Sequence, residues 1–441
     1  MNIHRDLLNN LNRWKNSRYR KPLVLQGTRQ VGKSFILKQF GSEYFENCCY
    51  VNFDFEKEHK AEFARTKDPA RIVSYLTAVK GIDIKPEKTL IIFDEIQECN
   101  DALNSLKYFR ELMPEQAVVC AGSLLGVALK REGASFPVGN VDFLTLYPVS
   151  FKEFLVLYNE KLARFLENYV DVGNFEKIPE IFHNQMIEAY KIYLCCGGMP
   201  ETIVRYLESR DWNEVDTVNN QILTAYTLDF AKHIDNKDIP RLQRLWQNIQ
   251  DNLAKEDRKF KYALIEKNAR GRDYENSVEW LVLSGLINRV FEVSTLRIPL
   301  SSCKNSNAFK LYLADSGLLR TKFRLAPTSI LQGDKLFTEF KGILTENYIL
   351  QSFVRQFGSN IFYWTSGNQA EIEFILQLSE TIIPVEAKSA LSTKAKSLSE
   401  YRKKYHPELS LRFSLKNVER NDDLLNLPLY LADYTEKLTK F

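Results

Sequence analysis

The chain has little with which to hold a metal or a disulfide. Its seven cysteines (Cys48, Cys49, Cys99, Cys120, Cys195, Cys196 and Cys303) are odd in number, include two adjacent pairs and form no C-x-x-C. Neither a zinc site nor a disulfide framework is therefore expected, and the thiols read as reduced and mostly buried. The five histidines, His4, His59, His183, His233 and His406, are too widely spaced for a shared metal. No run approaches the ~18 consecutive apolar residues of a membrane span, since Leu90–Phe93 meets Asp94 at once. The first ten residues lack the apolar centre of a signal peptide, so a cytoplasmic protein without a membrane partner is expected. A charge of one sign is lacking too. With 60 Lys+Arg against 56 Asp+Glu the net charge is +4, and any case for nucleic acid must rest on local patches. What is present, 44% hydrophobic and 26% charged residues over a length of 441, is the composition of a globular chain of about three domains.

The most informative segment follows a short apolar run, Lys21 to Gln26. Gly27-Thr28-Arg29-Gln30-Val31-Gly32-Lys33-Ser34 is G-x-x-x-x-G-K-S, and the helix-patterned FILKQF continues from it. Glycines at these places let consecutive backbone N–H groups curl inward onto phosphate oxygens, and a helix N-terminus adds its positive dipole end. The expected cradle runs from Gly27 through Phe35, with Lys33 reaching the β- and γ-phosphates of ATP and Ser34 placing its hydroxyl on Mg²⁺.

A second segment, Thr89-Leu90-Ile91-Ile92-Phe93-Asp94-Glu95, reads as a fully buried strand ending in two carboxylates. Beside a phosphate loop, Asp94 can hold Mg²⁺ through its water shell and Glu95 can polarise the attacking water. Cys49–Asp54, Ala117–Ala121 and Phe143–Leu146 fit further strands of one doubly wound sheet, whose ligands bind at the carboxyl ends of the strands. Ser123 falls where a polar residue can sense the γ-phosphate. Arg29, Arg110 and Arg131 are candidates for stabilising transition-state charge, within the chain or from a neighbouring copy in a homo-oligomer.

The segments LQGTRQVGKS, LIIFDEIQ, VCAGSLLG and YPVSFKEFL resemble the bacterial and archaeal AAA-type ATPases that carry a C-terminal domain of unknown function with a restriction-endonuclease-like fold. The resemblance implies an α/β fold with a nucleotide-binding core related to the AAA and STAND branches over 1–155. It also implies a helical lid over 156–237, which agrees with helix-patterned LARFLENYV, NQMIEAYKIYL and ETIVRYLES around the turn Cys196-Gly197-Gly198-Met199-Pro200.

From 238 to 325 the order is three helices and then strands, Ile287–Val293 and Phe309–Leu313, which is winged-helix order. Seven Lys/Arg lie between Lys255 and Arg272 (Lys255, Arg258, Lys259, Lys261, Lys267, Arg270, Arg272), an excess that can track DNA phosphates or simply face water. The last module, 326–441, opens with the amphipathic helix EFKGILTENYILQSF and continues with the strands IFYWT, AEIEFIL and IIPVEAK. Because alternate side chains of a strand share a face, Glu386 projects with Lys388 and Glu371 with Glu373. Glu346, Glu373 and Glu386 are the expected ligands of a second Mg²⁺, with Lys388 orienting the attacking water. That set resembles the PD-(D/E)xK nuclease site, with Glu373 standing where the superfamily usually carries Asp. The function expected is a Mg²⁺-dependent ATPase that couples nucleotide state to DNA binding or processing, or alternatively a STAND-like switch acting through protein partners.

Overall fold

The computed structural model describes residues 3–122, 139–233, 238–255, 258–267, 269–332, 338–367, 370–389 and 396–440. By packing, His4–Tyr147 with Leu283–Gly285 forms one unit and the rest of the chain a second.

The first unit is an all-parallel sheet of β1 (Leu23–Gln26), β2 (Asn47–Asn52), β3 (Thr89–Asp94), β4 (Val118–Ala121) and β5 (Asp142–Thr145), in the order β2-β3-β4-β1-β5. Every residue of β3 and β4 is buried, as expected of central parallel strands covered on both faces. One face is sealed by Phe53, Phe63, Phe93 and Phe109, with Phe63 edge-on to Phe53 at 5.3 Å and to Phe93 at 5.4 Å. The helix Pro69–Lys80 starts on the Asp68 cap, which accepts Ala70 N at 3.0 Å, and stops at Gly81 in the left-handed region. β4 lies between β1 and β3, so the loop after β1 and the carboxylates after β3 flank the end of one intervening strand.

The second unit begins at Pro148, ahead of residue 155. The helix Phe151–Tyr158 and the helices expected as a lid, from Glu160–Val172 to Trp212–His233, pack within it. A capping box sets the first of them, Ser150 and Glu153 each accepting the other's backbone N–H. Asp433 then ties that helix down by accepting Lys152 N at 3.1 Å and Arg355 at 3.0 Å. Gly197 and Gly198 form a tight turn around a buried carboxylate. Asp315 accepts Gly198 N at 2.5 Å and Leu318 N at 2.9 Å, and a Cβ on Gly197 would lie 2.2 Å from Asp315.

The three helical segments ahead of the expected wing are present as Ile239–Leu253, a 3₁₀ turn at Tyr262–Leu264 and Gly271–Leu283. β6 (Ile287–Val293) and β7 (Lys304–Leu313) form the expected antiparallel hairpin. Beyond it lie β8 (Ile361–Thr365), β9 (Glu371–Leu378), β10 (Thr381–Ala387), β11 (Ser410–Ser414), β12 (Glu419–Asn421) and β13 (Leu424–Pro428). These join in one mixed sheet of order β12-β13-β11-β10-β9-β8-β6-β7. Phe291–Val293 runs parallel to Phe362–Trp364, so the hairpin forms the end of the sheet that also carries Glu373 and Glu386. The helix Thr338–Phe357 packs on this sheet through Phe353, whose ring lies 5.8 Å from both Phe374 and Phe413.

Candidate nucleotide site

The loop Gly27–Gly32 is shaped by positions that only particular residues tolerate. Gly27 has φ 147°, and a Cβ there would stand 2.3 Å from the Leu146 carbonyl oxygen, so the loop passes against the end of β5 with no room for a side chain. Gln30 at φ 66° and Gly32 at φ 92° are both in the left-handed region. Gly32 caps the helix Lys33–Tyr44 without any side-chain hydrogen bond, which leaves the first amides of that helix for an outside acceptor. Beneath the loop Arg5, 5% exposed, donates to Val31 O at 3.2 Å and to Tyr147 O at 2.6 Å. A single arginine near the start of the chain carries no sequence signal for this role.

Lys33 is buried and donates through Nζ to Gly27 O at 2.8 Å and Thr28 O at 2.9 Å. Burial lowers its pKa to about 8 against the pull of Glu95 and Asp94, while Arg29 lowers it further. The Thr28 hydroxyl oxygen is buried with no hydrogen-bond partner among the described residues. Ser34 is half-buried, and Phe35 is exposed. Free helix amides, a buried ammonium and an orphaned hydroxyl around a glycine-framed turn fit a polyphosphate.

Asp94 ends β3 with 3% exposure and accepts Tyr50 Oη at 2.6 Å and Glu95 N at 3.1 Å. Glu95 follows in the left-handed region at φ 49°, an uncommon place for a residue with a Cβ. It accepts Gln97 Nε2 at 2.5 Å. Burial pushes the Glu95 carboxyl above the ordinary carboxylate range and Asp94 adds to this, while Gln97, Lys33 and Arg29 oppose it. Tyr50, Asn52 and Gln97 were not anticipated. The signal for the first two is the alternation of Tyr50 and Asn52 with buried Cys49, Val51 and Phe53.

Ser123 and Arg131 lie outside the described residues. Arg110 donates to Gly139 O at 2.9 Å, just before β5, and so sits at the amino end of the sheet, away from the loop. This removes it as a finger within the chain. Arg29, exposed on the loop, acts electrostatically on both Lys33 and Glu95.

In the second unit the structure brings Glu373, Glu386 and Lys388 together, with Lys388 Nζ 3.4 Å from Glu373 and 3.2 Å from Glu386. The surroundings differ from the expected Mg²⁺ site. Glu386, 1% exposed, gives its other oxygen to Arg412 Nε at 2.8 Å. Glu346 is paired with Arg258 and accepts Tyr312 Oη at 3.3 Å, and Glu371 is paired with the buried Lys310. Among the described residues no group of three or more His, Cys, Asp or Glu side chains is arranged to hold a metal ion. Arg258 and Arg412, from distant segments, pair with Glu346 and with one oxygen of Glu386, whereas Glu373 keeps one buried oxygen, Oε2, with no hydrogen-bond partner among the described residues. Burial and the neighbouring Glu386 hold the Glu373 carboxyl above its usual range although Lys388 opposes them. The basic stretch is partly spent in the same way. Arg258 pairs with Glu346, Lys259 with Glu292 at 3.3 Å and Arg272 with Asp273 at 3.9 Å.

A parallel sheet whose first strand runs through a G-x-x-x-x-G-K-S loop into a helix, with a buried strand ending in Asp-Glu two places away, is the fold of the P-loop ATPases. Residues 19–155 match the AAA domain family. Residues 187–329 match a domain of unknown function, DUF8612, and 341–430 match another, DUF4143. A search of curated proteins finds no match to the chain. Among solved structures the chain is similar to a Walker-type ATPase of Pyrococcus abyssi, with 15% identity over 73% of this chain and 96% of that chain at a TM-score of 0.46. It is also similar to the ORC2 protein of Aeropyrum pernix in ADPNP-ADP complexes, with 14% identity over 76% and 95% at 0.33. A third is the STAND protein with a tetratricopeptide repeat sensor of Pyrococcus horikoshii, with 13% identity over 81% and 47% at 0.29. Among the described residues no helix is long and apolar enough to cross a membrane.

Proposed function

We propose that the chain binds ATP with Mg²⁺ and hydrolyses it at the Gly27–Ser34 loop, and that it works as a nucleotide-dependent switch read by a protein partner. The observation that carries the hydrolytic reading is the buried Lys33 held in the loop under the electrostatic influence of Asp94 and Glu95. The loop amides and Lys33 would bind the phosphates, Ser34 and Asp94 would hold Mg²⁺, and the metal would neutralise phosphate charge. Glu95, with its raised carboxyl, would take the proton of the attacking water, and Arg29 is the arginine placed to offset charge at the loop. Equilibrium binding and turnover test these roles together: Lys33→Ala is expected to lose ATP binding, and Glu95→Gln to bind ATP while turnover falls at least about a hundredfold. Unimpaired turnover in Glu95→Gln would remove the base role.

The switch reading is favoured over DNA cutting by the pairing of Glu346 with Arg258, Glu371 with Lys310 and Glu386 with Arg412. A DNA-binding reading retains Lys255, Lys267 and Arg270 of the basic stretch and the basic helix Lys396–Tyr405. Salt-dependent binding to duplex DNA that is lost on charge reversal at Arg270 and Arg272 would favour it instead.

A further inference from the structure

The Asp94 carboxylate is fixed from a neighbouring strand as well as from its own. In β2 the core side is taken by Cys49 and Val51, which turns Tyr50 and Asn52 to the other face, and the parallel register sets Asn52 beside Asp94. Tyr50 Oη donates to Asp94 Oδ2 at 2.6 Å, while Asn52 Nδ2 donates to Tyr50 Oη at 3.3 Å. The phenol accepts from the amide and directs its own proton at the carboxylate. Asp94 Oδ1 accepts Glu95 N at 3.1 Å, so both oxygens have a protein donor setting their direction.

The phenol is in turn held by the helix that follows the loop. Lys38 Nζ lies 3.8 Å from the centroid of the Tyr50 ring, a cation–π distance at which the ring is held in place. Lys38 is one turn along from Ser34 on the helix Lys33–Tyr44. Ser34 and Asp94, the two groups assigned to Mg²⁺, are thus linked through Lys38 and Tyr50.

We infer that Tyr50 is a positioning residue for the metal half of the nucleotide site, fixing the Asp94 carboxylate relative to the Ser34 helix. The inference rests on the reading of this loop as a Mg·ATP site. Tyr50→Phe keeps the ring and the Lys38 contact and removes only the donor. The measurement is equilibrium binding of a fluorescent ATP analogue across a Mg²⁺ titration, with and without EDTA, on wild type and Tyr50→Phe. Binding without metal is expected to be unchanged while the Mg²⁺ midpoint rises about tenfold, the usual effect of removing a partner that orients a metal ligand. An unmoved midpoint overturns the inference, as does an equal loss of metal-free affinity, which would mark Tyr50 as packing alone. Failure of the wild type to bind the analogue would overturn the reading of the loop itself, a result separate from an unmoved midpoint in the variant.

Discussion

Burial shifts Lys33 and Glu95 in opposite directions, the ammonium down and the carboxyl up, and each shift has a measurable sign. The Lys33 ammonium, lowered to about 8 by burial, is charged below that pH and neutral above it. ATP affinity is therefore expected to fall as pH rises past about 8. Bound phosphate favours the charged form, so binding at that pH should take up a proton, visible as a dependence of the calorimetric heat on the ionisation enthalpy of the buffer. Heats independent of the buffer would contradict this. The Glu95 carboxyl is raised, so its basic form is lost first as pH falls. The acid limb of a turnover profile should lie above the ordinary carboxylate range and vanish from the residual activity of Glu95→Gln.

At the scale of elements, the turn after β1 and the pairing of β10 with β11 make distinct demands. Gly27→Ala puts a Cβ 2.3 Å from Leu146 O at φ 147°. It should destabilise the protein by at least about 2 kcal/mol, or distort the loop enough to abolish ATP binding, read by thermal melting with and without nucleotide. Arg412→Ala removes a partner from Glu386, which is 1% exposed, and is expected to cost about 3 kcal/mol. Removing both charges as Glu386→Gln with Arg412→Met should restore part of that loss, and a double-mutant cycle by denaturant melts checks it. The strands ending at Asp94 and the helices Lys33–Tyr44 and Thr338–Phe357 were legible because continuous apolar runs, a glycine-framed loop and helical periodicity are local signals. What sequence did not reveal depends on strand order. Glu386 meets Arg412 because β10 and β11 pair in parallel with those two residues opposite, and β6 enters the second sheet through β8. Tyr50 reaches Asp94 only because β2 lies beside β3. The E-x-K pattern was visible and so were its neighbours in sequence, but not Arg258 and Arg412, which pair with Glu346 and Glu386 from distant segments.

For the whole molecule, a nucleotide-binding unit is joined to a mixed-sheet unit whose charged face is self-neutralised, with Glu346, Glu371, Glu373 and Glu386 each beside a cation. On the reading proposed above, such a face serves folding rather than Mg²⁺ binding. Purified protein should therefore show no Mg²⁺-dependent cutting of duplex or single-stranded DNA, with or without ATP. The most direct measurement is steady-state ATP hydrolysis by wild type, Lys33→Ala and Glu95→Gln, with and without duplex DNA, at low and physiological salt. Turnover is expected to depend on Mg²⁺, to be indifferent to DNA, to be lost in Lys33→Ala and to fall at least about a hundredfold in Glu95→Gln, which still binds ATP. Turnover stimulated by DNA, or persisting in Glu95→Gln at the wild-type rate, would contradict this expectation.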